Sequence, residues 1–136
     1  MLGLDPGEEI MMIDLLYGTL LRSGNDGANA IAEHVSGSQA EFVNLMNETA
    51  RQLGMTHTHF VNAHGLHDPN HYSTARDLAI LARYAMSNDT FREIAGTISY
   101  NIPETNTHRA TQNADEFTYE VDIHGIAFRK NTDGYT

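Results

Sequence analysis

Ser23-Gly24-Asn25 sets a hydroxyl and a carboxamide on either side of a glycine, directly after the apolar run Leu15 to Leu21. A serine becomes a nucleophile only when a neighbouring base takes its proton. The sequence has seven arginines but a single lysine, Lys130, with Ala127 three residues before it, so no serine precedes a lysine by one helical turn. No Gly-x-Ser-x-Gly elbow occurs either, which makes Ser23 and Ser73 weak candidates for a Ser-His-Asp arrangement. Five of the eight histidines, His57, His59, His64, His67 and His71, fall within one short segment. Imidazole is a common zinc ligand, but the chain has no cysteine and no His-Glu-x-x-His, so these histidines read as structural or solvent-exposed. No metal and no cofactor is expected. Taken alone, Ser-Gly-Asn-Asp also fits a helix end followed by the N-cap of the next helix, a purely structural arrangement.

Composition narrows the partners. At 136 residues and 40% hydrophobic content the chain is long enough for one domain with a moderate core. Eighteen acidic against eight basic residues give a net charge of -10, which repels phosphate backbones and anionic headgroups, so no nucleic-acid partner is expected. No window reaches the ~20 apolar residues of a spanning helix, and Met1-Leu2-Gly3-Leu4-Asp5 lacks the basic start and long apolar stretch of a signal peptide. The absence of cysteine suits reducing and oxidising compartments alike.

The elements that must position these residues are mainly helical. After a Pro6-Gly7 turn, a short strand is expected over Glu8 to Met12 and a buried helix over Ile13 to Arg22. Ser23-Gly24-Asn25 then falls in an interhelical loop, and Asp26 is the expected cap of a second helix running to Val35. Ser38 with Glu41 forms a capping box for a third helix, whose Phe42, Leu45, Met46, Thr49, Ala50 and Leu53 predict one buried stripe. A short strand over Thr58 to Val61 and a structured loop follow. Thr74 with Asp77 starts a fourth helix, and a short fifth covers Phe91 to Ala95. Alternation predicts a strand over Thr97 to Ile102 and a β-hairpin over Phe117 to Arg129.

The run Leu15-Leu16-Tyr17-Gly18-Thr19-Leu20-Leu21-Arg22 leading into Ser23-Gly24-Asn25 resembles the second active-site motif of serine D-alanyl-D-alanine carboxypeptidases, the low-molecular-mass penicillin-binding proteins. The likeness continues through Gly54-Met55-Thr56-His57-Thr58-His59-Phe60-Val61-Asn62-Ala63-His64-Gly65-Leu66-His67 and through His71-Tyr72-Ser73-Thr74-Ala75-Arg76-Asp77-Leu78. It covers residues 1 to 103. Residues 104 to 136 diverge: where the family reads Lys-Thr-Gly, this chain reads Lys130-Asn131-Thr132-Asp133-Gly134-Tyr135-Thr136, broken in either register.

The resemblance implies an α+β fold, the helical part of a β-lactamase or transpeptidase-like domain with a short β-hairpin remnant of its sheet, as a single partial domain over 1–136. It also implies acyl-enzyme chemistry on peptidoglycan stem peptides, binding of β-lactams, and a full-length parent acting outside the bacterial cytoplasmic membrane. Ser23 matches the hydroxyl that relays a proton to the leaving nitrogen, and Asn25 the amide that holds the acyl part of the substrate. Lys130, Thr132 and Gly134 fall where the third motif would bind substrate. The missing Ser-x-x-Lys predicts that this chain alone is inactive. The alternative reading is a non-catalytic pseudoenzyme or interaction module that binds muropeptide or a partner chain. Apolar helix faces without a full sheet to cover them predict self-association.

Overall fold

The computed structural model describes residues 1–108, 119–121 and 127–129. Helix α1 spans Met12–Arg22, α2 Asn25–Ser36, α3 Gln39–Gln52, α4 Ala75–Ala85 and α5 Asp89–Ala95. Strand β1, Tyr119–Val121, pairs antiparallel with β2, Ala127–Arg129, with Glu120 opposite Phe128. The mainly helical expectation with a short hairpin therefore holds. Among the described residues no helix is long and apolar enough to cross a membrane.

The helix starts follow local chemistry. Ser38 Oγ accepts from Glu41 N at 3.1 Å, Thr74 Oγ1 from Asp77 N at 3.2 Å and Asn88 Oδ1 from Phe91 N at 2.9 Å, so α3, α4 and α5 each begin on a side-chain cap. The Asn88 cap starts α5 at Asp89, earlier than the apolar pattern from Phe91 indicates. Gly37, at φ +77°, ends α2 in the left-handed conformation that suits glycine.

Helix α1 packs on α2 and α5, and α2 on α3. Among the described residues the buried apolar set is small: Leu15, Tyr17, Ala32, Ala50, Met55 and Ile94. The expected stripe on α3 is not closed over. Ala50 is buried, but Phe42, Leu45, Met46 and Thr49 line an open groove of 230 Å3 with Met55, Phe60 and Leu81.

Three expected strands are absent. Glu8 to Met11 is irregular and α1 begins at Met12; the Glu8 carboxylate instead accepts from Asp5 N at 3.0 Å and from Thr105 Oγ1 at 2.7 Å. Thr58 to Val61 shrinks to a single antiparallel bridge between His59 and Tyr72. Thr97 to Ile102 forms no strand, although Tyr100 stacks on Tyr17 at 3.7 Å and Ile102 reaches Gly18 of α1. A strand needs a neighbouring backbone to pair with, and beyond the His59–Tyr72 bridge none of these segments has one among the described residues.

Candidate functional site

The junction of α1 and α2 carries the Ser-Gly-Asn motif. Helix α1 ends with Ser23 at φ 55°, ψ 47°, the non-glycine residue with positive φ among the described residues. Side-chain crowding makes that conformation unfavourable by roughly 1–2 kcal/mol. A glycine follows immediately, yet at φ −76° Gly24 occupies an ordinary extended conformation. Its need is for space: a Cβ there would lie 2.7 Å from Leu2 Cγ. The tight contact holds glycine at position 24 and leaves the left-handed position to serine. The turn closes with Gly24 N donating to Thr19 O at 3.2 Å, and Ala28 N donating to Gly24 O opens α2 at 3.0 Å.

Ser23 is exposed and Asn25 is half-buried as the first residue of α2, so the motif is a cap-to-cap junction rather than the expected loop. Among the described residues neither side chain has a hydrogen-bond partner, which leaves a hydroxyl and a carboxamide free at one helix junction. Lys130, Thr132 and Gly134 lie outside the described residues.

Asp26 does not cap α2, contrary to the sequence expectation. Gly24 is the N-cap, and the Asp26 carboxylate turns to the N-terminal segment. It accepts from Leu2 N at 2.7 Å, Gly3 N at 2.7 Å and Leu4 N at 3.3 Å, and from Gly27 N at 3.1 Å. Burial works against its charge, but these four N–H groups hold the carboxyl below the usual aspartate range. The segment so anchored drives Leu2 between Gly18, Gly24 and Gly27, where added Cβ atoms would come within 2.9, 2.7 and 2.8 Å of its side chain.

Towards the start of α1, Tyr100 donates to the buried Asp14 carboxylate, and Tyr17 OH donates to Glu93 Oε1 at 3.3 Å. The hydrogen bond to Asp14, with burial and the neighbouring negative charge, pushes the Tyr100 phenol up to about 12. The other end of the N-terminal segment is tied to residues 105–108. Asn106 Nδ2 donates to Gly7 O at 2.9 Å, Glu9 N donates to Asn106 Oδ1 at 2.8 Å, and His108 Nδ1 lies 3.1 Å from Glu8 Oε1. Burial opposes ionisation of Glu8, but the Asp5 N–H with Thr105 and His108 holds its carboxyl below the usual range.

The histidine-rich segment is a hydrogen-bonded loop. His59 Nδ1 lies 2.7 Å from Asn70 O, His71 Nδ1 accepts from Val61 N at 3.1 Å, and His64 Nδ1 accepts from Leu66 N at 3.2 Å. Among the described residues no three His, Asp or Glu side chains come together as metal ligands. The loop is fastened to α4 by Asp77, which is buried and accepts from His57 N at 2.8 Å and Thr58 Oγ1 at 2.7 Å. Ser73 Oγ sits 2.9 Å from Thr58 Oγ1 in the same cluster, away from any histidine-activated arrangement.

Sequence reasoning singled out Ser23 and Asn25 but missed what packs against their turn: Leu2, and Asp26 as the anchor of the segment that carries it. The one local signal was the glycine spacing 18, 24, 27, which marks close approach of another chain segment without saying which.

A family model described as D-alanyl-D-alanine carboxypeptidase matches residues 1–134, taking in the hairpin as well as the helices. The chain is 43% identical over 94 residues to D-alanyl-D-alanine carboxypeptidase DacF of Bacillus subtilis, covering 69% of this chain and 24% of that protein. To DacC of Escherichia coli it is 45% identical over 92 residues, 68% of this chain and 23% of the relative. The chain thus spans about a quarter of the length of these curated relatives. The crystal structure of a D-alanyl-D-alanine carboxypeptidase from Mycobacterium tuberculosis superposes with a TM-score of 0.70 at 41% identity, over 75% of this chain and 39% of that one.

Proposed function

The chain belongs to the D-alanyl-D-alanine carboxypeptidase family, and from that premise we propose that its α1–α2 junction is the Ser-x-Asn side of a site for peptidoglycan stem peptides ending in D-Ala-D-Ala. The observation that carries this reading is the junction itself. Ser23 is held in a conformation unfavourable for serine, beside Asn25, with neither side chain spent on the described protein. Unfavourable backbone conformations persist where the surroundings over-determine them, and they concentrate at functional sites.

Asn25 holds the amide of the acyl part of the substrate, and the Ser23 hydroxyl is the group that would relay a proton to the leaving nitrogen in an acyl transfer. Acyl transfer further requires a nucleophile with its own base, and the 136 residues contain no Ser-x-x-Lys. These residues by themselves therefore bind without turnover. Lys130, Thr132 and Gly134 are proposed to face the substrate carboxylate from the third-motif side. β-Lactams, which share the carboxylate and the acyl-amide pattern, occupy the same site without forming an adduct on this chain. The place of action is outside the cytoplasmic membrane, where peptidoglycan lies.

The test is an NMR titration of the full chain with a D-Ala-D-Ala stem peptide, paired with intact-mass analysis after incubation with penicillin. Expected are shift changes centred on the Ser23 and Asn25 amides, no free D-alanine and no penicilloyl adduct. Shift changes confined to the histidine loop or the α3 groove would overturn the site. A stoichiometric adduct on any serine would overturn the absence of turnover.

A further inference from the structure

We infer that Asp26 is the positioning residue of the Ser-Gly-Asn turn, acting through the N-terminal segment that it gathers and the Leu2 side chain which that segment delivers. The inference rests on the proposed role of Ser23 and Asn25 in binding.

Three consecutive backbone N–H groups, those of Leu2, Gly3 and Leu4, converge on one carboxylate. An extended segment points successive N–H groups to opposite sides, so convergence needs a bend, and Gly3 supplies it at φ +82°. Both oxygens are occupied: Oδ1 takes Leu2 and Gly27, and Oδ2 takes Gly3 and Leu4. With the segment anchored, Leu2 fills a notch whose walls are Gly18 on α1, Gly24 in the turn and Gly27 on α2. The wedge presses on the middle residue of the motif. Thr19 O grips the same turn from the α1 side through the Gly24 N–H. Held from both sides, the backbone at Ser23 keeps the left-handed conformation that sets where the Ser23 hydroxyl and the Asn25 amide point.

The position of Asp26 also shows why a cap is not its task. It is the second residue of α2, with Gly24 already the N-cap, so its carboxylate is free to bond outside its own helix. The carboxylate joins segments 22 to 24 residues apart in sequence.

The experiment is NMR on the full 136-residue chain, reading the intraresidue HN–Hα cross-peak of Ser23, which is strong only at positive φ. Asp26→Asn keeps the shape but turns an amide NH2 towards N–H donors. Amide exchange at Leu2, Gly3 and Leu4 should then rise about tenfold or more, and the Ser23 cross-peak should fall. Leu2→Ala leaves every Asp26 hydrogen bond in place and empties the notch; it should weaken the Ser23 cross-peak while exchange at Gly3 and Leu4 stays slow. Asp77→Asn, which loosens the histidine loop, should leave the Ser23 signal unchanged and so separates positioning from general destabilisation. A full Ser23 cross-peak in Asp26→Asn and Leu2→Ala would overturn the inference, and if Asp26→Asn does not fold, Leu2→Ala alone decides it. Failure of the unaltered chain to bind a D-Ala-D-Ala peptide would remove the proposed function, while the Ser23 signal would still decide the positioning role.

Discussion

At Ser23 backbone conformation and side-chain chemistry compete. A left-handed serine is less stable than a glycine, so Ser23→Gly should raise stability, by up to about 1 kcal/mol once the greater freedom of the unfolded glycine is deducted. The same change should abolish any peptide-induced shift at Asn25. Urea unfolding checks the first outcome; a Ser23→Gly chain less stable than the parent would show that the hydroxyl supports the fold. Asp77 presents the opposite case, a buried carboxylate whose partners are all structural. The Thr58 hydroxyl, opposed by burial and aided by the His57 N–H, holds its carboxyl below the usual range. A carboxyl depressed in the folded state contributes stability above its unfolded value of ~3.9, and that stability is lost as pH falls through the folded value. Asp77→Asn should therefore lower the melting temperature at neutral pH and flatten its fall below about pH 4. Parallel acid limbs for the two proteins would refute this. The exposed Arg51–Glu48 pair, by contrast, should tolerate Arg51→Gln with no measurable change.

Among the elements, the helices were legible because their signals are short-ranged. Ser38 and Glu41, or Thr74 and Asp77, stand three residues apart, within one turn, and each cap forms where the sequence placed it. Ser38→Ala should cost about 1 kcal/mol by leaving the Glu41 N–H without its partner, measured as a shift in the denaturation midpoint. The strands were not legible in the same way. Alternation at Thr97 to Ile102 puts Ile98, Tyr100 and Ile102 on one side; Tyr100 and Ile102 meet α1 but Ile98 is 54% exposed, because a period of two does not report what covers a side. The hairpin is the exception, because β1 and β2 are close enough in sequence to pair with each other.

At the scale of the whole molecule, few apolar side chains among the described residues are buried and many are not. Leu45, which lines the open groove on α3, and Leu78, Tyr84 and Met86 on or beside α4 are 47, 49, 55 and 49% exposed. Apolar surface released from water contributes ~25 cal/mol per Å2, so these faces should draw copies of the chain together. Sedimentation equilibrium over a wide concentration range should show a mass that rises with concentration, and Leu45→Glu with Leu78→Glu should return it towards 15.1 kDa. A strictly monomeric parent would contradict this.

The sequence by itself determined which stretches are helical, the side-chain caps of α3 and α4, where the Ser-Gly-Asn motif falls and which nucleophile motif is missing. Each of these depends on residues within a few positions of one another, where spacing is geometry. Only the tertiary structure decided which distant segments meet. Asp26 meets Leu2 across 24 residues, Tyr100 meets Asp14 across 86, and His108 meets Glu8 across 100. No periodicity encodes such pairs, because the chain between them has to fold before the partners are neighbours.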